Sequence, residues 1–184
     1  MLTILCVAHL EWTDTLFQRP QQVMTRLAER HKVIYFREWR LREWLEAIAK
    51  GRNCRHSQVI GQLAVANYLM PLPIRKGRLP ACEWINQKLA VSRLTRLVRE
   101  WQEGPLILWF YFPKFLELID LLEPAAVVYE CMDNYAALAR DDRFVLDKLA
   151  VDEPRLLARA DLVFYGSHTL MAARGHGETE QRQV

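Results

Sequence analysis

Near its start the chain runs Thr3-Ile4-Leu5-Cys6-Val7-Ala8, an unbroken β-prone stretch. A second such stretch, Lys32-Val33-Ile34-Tyr35-Phe36, follows only after a polar loop and an amphipathic segment over 23–30. Strand, loop, helix, strand is the opening of a parallel α/β sheet, in which ligands bind at the carboxyl ends of the strands. The loop at that end, from Trp12 to Gln22, carries Trp, Arg and Gln side chains and contains no glycine. A dinucleotide fold needs glycine there so that the backbone can approach pyrophosphate. The loop therefore reads as a polar-ligand or interdomain surface of a Rossmann-like domain, and a nicotinamide oxidoreductase is disfavoured.

The same rhythm returns downstream. Strands are predicted at 106–110, 125–129 and 162–165, with helices over 114–122 and 142–160 and a short one at 169–173. Continuous apolar runs such as Leu106 to Phe110 suit strands buried on both faces. Between the two halves the pattern predicts a charged helix over 42–50, a polar turn over 51–57 and one strand over 59–69, bent around Gly61. A loop follows over 70–80, where Pro71, Pro73, Gly77 and Pro80 fall. The longest helix, over 82–102, places Ala90, Leu94, Leu97, Val98 and Trp101 three and four residues apart. The expectation is one domain over 1–174, a three-layer α/β sandwich around a mainly parallel sheet of about six strands, with a polar tail over 175–184.

Hydrophobic residues at 51% and charged residues at 26% suit a soluble globular domain of 184 residues. A net charge of +3 is too small to call for nucleic acid. The four cysteines show no paired metal spacing, and Cys6 and Cys131 read as reduced thiols buried in strands. The N-terminus lacks the pattern of a signal peptide, and no apolar run is long enough to span a membrane. A cytoplasmic protein is expected. One region is more basic than the whole: over 75–102, seven Lys and Arg face only Glu83 and Glu100. A basic amphipathic helix presenting Lys88, Arg93, Arg96 and Arg99 beside Trp84 and Trp101 is suited to a partner or to an anionic membrane on its inner face. The competing reading is a solvated polar face over an ordinary core stripe.

Several side chains fall where chemistry is expected. Arg19, ahead of Pro20, lies near a helix N-terminus, a place that attracts anions. Its guanidinium would grip phosphate or carboxylate there, or pair with Asp14 or Glu11 to hold the loop. Of Gln21 and Gln22, one is expected to face a ligand. His9 ends the first strand and suits a general base or a hydroxyl partner. Asp133 and Asn134 follow another strand, where they either orient a hydroxyl or cap the next helix. Ser167 and His168 occupy the turn after the last strand. No Gly-x-Ser-x-Gly elbow, Walker loop or His-Glu-x-x-His motif occurs, which removes the corresponding hydrolase, nucleotide and zinc readings.

Taken together, Trp12 with Gln18-Arg19-Pro20-Gln21, then Leu27-Ala28-x-Arg30-His31-x-Val33-x-Tyr35, resemble the start of bacterial GT-B glycosyltransferases of teichuronic-acid and other cell-surface polysaccharide synthesis. Leu106 to Tyr111, Val127-Val128-Tyr129-Glu130-Cys131-Met132-Asp133-Asn134 and Ala160-Asp161-Leu162-Val163-Phe164 with Ser167 agree in order and spacing. The likeness reaches to about Ala173. It departs where the relatives read Tyr-Asp-Cys-x-Asp-Asp, since Glu130 and Asn134 replace the first and last acids. The resemblance implies the acceptor-side half of an enzyme that moves a sugar from a nucleotide-sugar to a sugar or glycolipid acceptor, without a metal. It implies His9 and Asp133 as catalytic groups, and Trp12, Arg19, Gln21, Tyr111, Asn134 and Ser167 as acceptor contacts. No cofactor is expected in this half, and the nucleotide-sugar is expected only with a second, donor-binding domain or partner. The alternative is a non-catalytic module that pairs with another chain or a membrane surface.

Overall fold

The computed structural model describes residues 1–12, 17–49, 57–72, 80–139 and 142–174. The tail over 175–184 and Asp14 lie outside them. A seven-stranded sheet forms the middle layer: β1 (Thr3–Val7), β2 (Lys32–Arg40), β3 (Ser57–Ile60), β4 (Leu63–Met70), β5 (Leu106–Phe110), β6 (Ala126–Cys131) and β7 (Leu162–Tyr165). Their order is β3-β4-β2-β1-β5-β6-β7. Six strands run parallel, and β3 alone is antiparallel, paired to β4 at the edge.

That edge corrects the single bent strand expected over 59–69. Ile60 pairs with Leu63, leaving Gly61 and Gln62 as a two-residue turn, and Gly61 adopts φ +59°. A positive φ at the first turn position is what reverses a hairpin tightly, and glycine takes it without a Cβ clash. The chain folds back rather than bends.

Alternation along β1 shows how the sheet divides its side chains. Leu5 and Val7 enter one core with Ile34, Phe36, Leu108 and Phe110, while Ile4, Cys6 and Ala8 enter another with Val33, Tyr35 and Tyr111. The first core is closed by α3 (Pro80–Trp101), α4 (Glu117–Leu122) and α6 (Arg143–Leu157), which contribute Leu94, Val98, Leu118 and Leu156. The second is closed by α1 (Arg19–Leu27) through Met24, with Val23 and Leu27 beside it. Strands buried on both faces explain why the runs were continuously apolar. The remaining helices are α2 (Leu41–Ala49), α5 (Tyr135–Ala139) and α7 (His168–Arg174).

Helix α1 begins at Arg19, ahead of the expected Val23. Pro20 suits the first turn, and Gln21 Oε1 accepts the Gln18 backbone N–H at 3.1 Å, as the third residue of a capping box does. Helix α4 begins later than Lys114, because Phe115 takes φ +62° and interrupts the backbone before it. The chain leaves β1 toward β2 and β4 on one side, then crosses through α3 to β5 on the other. The switch point thus lies between the carboxyl ends of β1 and β5, where this architecture leaves a crevice.

Candidate functional site

A crevice of about 530 Å³ opens at that switch point. Val7, Ala8 and His9 supply its floor from β1, Phe112 to Phe115 one wall from the end of β5, and the first turns of α6 another. Its size suits a small-molecule ligand.

Elementary packing holds His9 in place. Its ring meets Tyr135 edge-on at 5.4 Å and Phe112 at 6.0 Å, and these two aromatics meet each other at 5.1 Å. Tyr135 is buried and donates its hydroxyl to the Tyr111 carbonyl at 2.6 Å, which anchors the notch. Protein crowded around the His9 imidazole lowers its pKa below the usual value. Asp133 pulls it back up, and Arg37 adds to the lowering. Both residues expected as catalytic are thus electrostatic neighbours, although strands β1 and β6 lie far apart in sequence.

Charged groups in the crevice come in close pairs. Lys114 Nζ donates to Glu38 Oε1 and Oε2 at 2.8 and 2.6 Å, and Lys148 Nζ donates to Glu83 Oε1 at 2.7 Å. Arg37 lies 3.7 Å from Glu11. Burial raises the pKa of Asp152, a shift that Lys148 and Arg155 oppose and Glu117 and Glu83 reinforce. Asp142 accepts the Val145 N–H at 3.4 Å and caps α6. Apolar faces of Phe112, Phe115 and Phe144 alternate with these pairs. Such a lining offers donors, acceptors and flat rings together, which suits a ligand rich in hydroxyl groups more than a strongly charged one.

The other expected contacts divide by what already occupies them. Tyr111 is wholly buried in the α1-side core, so its ring presents no surface to an acceptor; burial, with Cys6 and Glu130 nearby, raises its pKa. Gln21 is also wholly buried. Its Oε1 serves the α1 cap, and its Nε2 donates to the Glu11 carbonyl at 3.0 Å, which spends the amide on holding the loop. Arg19 sits at the helix start as expected, but it forms an ion pair with Glu130 of β6 and not with Glu11. Glu130 is 1% exposed, and its Oε2 also accepts the Trp109 indole N–H at 3.1 Å. Trp12 packs edge-on to Tyr35 at 4.9 Å, on the α1 side of the sheet.

Asn134 acts as a cap: its Oδ1 accepts from the Ala137 N–H at 3.3 Å and from Arg174 Nη2 at 3.1 Å. Ser167 Oγ accepts the Leu170 N–H at 3.2 Å and caps α7. The expected rim is therefore split by the sheet. His9 lines the crevice, with Asp133 as its electrostatic neighbour, whereas Trp12, Arg19, Gln21 and Tyr111 belong to the opposite side.

Arg37, Glu38, Glu83, Lys114, Lys148 and Asp152 were not foreseen. Arg37 and Glu38 lie in the carboxyl-terminal half of β2 and Lys114 follows the end of β5, so the carboxyl-end rule was the available signal. Glu83, Lys148 and Asp152 ride on helices and carried no comparable one. Among the described residues no group of three His, Cys, Asp or Glu could hold a metal ion, and no helix is long and apolar enough to cross a membrane. No family model matches the chain, and no curated protein is significantly similar to it. Fold and site define a Rossmann-like α/β domain with a polar, aromatic-walled crevice at its switch point.

Proposed function

We propose that this chain is the acceptor-binding half of a glycosyltransferase acting on cell-envelope or exopolysaccharide intermediates, with the nucleotide-sugar held by a donor-binding half outside these 184 residues. The observation that carries the reading is His9: an imidazole whose pKa is lowered by burial, with Asp133 as its electrostatic neighbour, on the floor of a crevice lined by carboxylate–ammonium pairs and aromatic rings. An acceptor sugar lies in the crevice with its apolar face on Phe112 or Phe144 and its hydroxyls on the Glu38–Lys114 and Glu83–Lys148 pairs. His9 takes the proton that the acceptor hydroxyl gives up as its oxygen bonds to the donor's anomeric carbon, while the nucleotide leaves with the bonding pair. Asp133 stabilises the imidazolium so formed. The resemblance at Trp12, Gln18 to Gln21 and Val127 to Asn134 supports the same reading from the sequence. A second reading, a non-catalytic module that docks on a partner or a membrane, is favoured by the exposed outer face of α3.

Amide chemical shifts of the labelled protein, titrated with neutral mono- and disaccharides and separately with nucleotide-sugars, test the proposal. Saccharides are expected to shift residues 7–9 and 112–115, and nucleotide-sugars to leave them unmoved. Saccharide shifts confined to other surfaces, or sugar transfer by the chain alone, would overturn it.

A further inference from the structure

The outer face of α3 has an apolar end and a basic end. Trp84 is 62% exposed, and Ile85 and Leu89 are each 39% exposed, one turn apart along the helix. Lys88 lies among them, and Arg96 and Arg99 continue the same exposed side toward the C-terminus. Tertiary packing sharpens this charge pattern. Glu83 turns inward, 7% exposed, to meet Lys148, and Asn86 turns inward to bridge the Leu72 N–H and C=O at 3.1 and 2.9 Å. Glu100 is then the acid left on the outer side among the described residues of α3, 3.9 Å from Arg96. Arg93 stands at the flank, 5.8 Å from the Tyr68 ring centroid, half-buried. Trp101, in contrast, packs against the main core and is not part of the face.

We propose that this face of α3 docks peripherally on an anionic lipid bilayer, with Trp84, Ile85 and Leu89 in the headgroup–acyl boundary and Lys88, Arg96 and Arg99 on the lipid phosphates. The two halves of the face match the two layers of a bilayer surface: an indole and aliphatic chains for the boundary, exposed cations in excess over the single acid Glu100 for the negative headgroups. A protein partner fits less well. Three partly exposed apolar side chains offer a few hundred Å², below the roughly 800 Å² per partner of a stable interface. The cations also sit as a spread field, without the paired geometry of a specific protein contact. Docking places the crevice close to the headgroups, since Glu83, next to Trp84, lines it from the inner side of the same turn. The inference does not depend on the sugar-acceptor reading, because lipid binding is measured without any saccharide.

Co-sedimentation with vesicles tests it. The protein is expected to partition onto vesicles of equal parts phosphatidylglycerol and phosphatidylcholine, not onto phosphatidylcholine alone, and to release as salt is raised. Each cation removed is expected to lower partitioning about fivefold. The triple variant Lys88→Glu, Arg96→Glu, Arg99→Glu should therefore lose binding altogether, and Trp84→Ala with Leu89→Ser should weaken it about tenfold. All five positions are exposed, and an unchanged Tm and circular dichroism spectrum confirm that each variant is folded. No partition onto the anionic vesicles, or partition retained by the folded triple variant, would overturn the proposal.

Discussion

At the scale of single residues, His9 shows how position in a fold sets chemistry. Its ring is fixed by Tyr135 and Phe112, and its charge is contested by Asp133 and Arg37. Nuclear magnetic resonance titration should place its midpoint below the ordinary value of about 6.5. Asp133→Asn should lower the midpoint further, because the carboxylate favours the cation, and Arg37→Gln should raise it. The stability consequence follows in sign. Between the folded and unfolded midpoints the unfolded chain binds more protons at His9, so this residue's contribution raises stability with pH through that window and is lost below it. Asn134 and Ser167 make the complementary case. Both were candidates for a ligand, and both spend their oxygens on helix starts, which is where Asn and Ser are most often found.

At the scale of elements, the ion pair of Arg19 with Glu130 joins the start of α1 to β6 across the sheet's α1-side face. A carboxylate 1% exposed needs a cation and donors close by, or it carries an uncompensated desolvation cost. Arg19→Ala is expected to destabilise the protein by about 1–3 kcal/mol in urea unfolding, less than a fully buried pair because the Arg19 side chain is half exposed. In a Glu130→Gln background the same change should cost much less, since a neutral amide still accepts the Trp109 indole N–H and leaves no stranded charge. Equal losses in the two backgrounds would show the pair to be uncoupled.

At the scale of the whole molecule, the last helix is held by polar contacts. No residue of α7 is buried. Arg174 Nε donates to Glu153 Oε1 at 2.8 Å, the same oxygen that takes the Tyr129 hydroxyl at 2.8 Å, and Arg174 Nη2 reaches Asn134. Arg174→Ala should therefore release α7 while the sheet stays folded. Hydrogen exchange would show protection lost over 168–174 and retained in β1, β5 and β6; uniform loss would instead mean that the contact supports the global fold. The same clamp joins α6, α7 and the turn after β6.

The parallel α/β class was legible before any coordinates, because strands buried on both faces must be continuously apolar and their crossover helices must be amphipathic. The runs at Thr3 to Ala8 and Leu106 to Phe110 carried that information locally. So did the placement of His9 and Asp133 at strand ends. The edge hairpin was missed because a two-residue turn at Gly61 and a bend at Gly61 look alike in one dimension, and only the pairing of Ile60 with Leu63 separates them. The fate of Tyr111, Gln21 and Arg19, and the inward turn of Glu83, were decided by tertiary structure alone. A side chain's availability depends on which distant group fills its hydrogen bonds and covers its surface, and Glu130, Glu11 and Lys148 are brought to these residues only when the sheet and its two helical layers close.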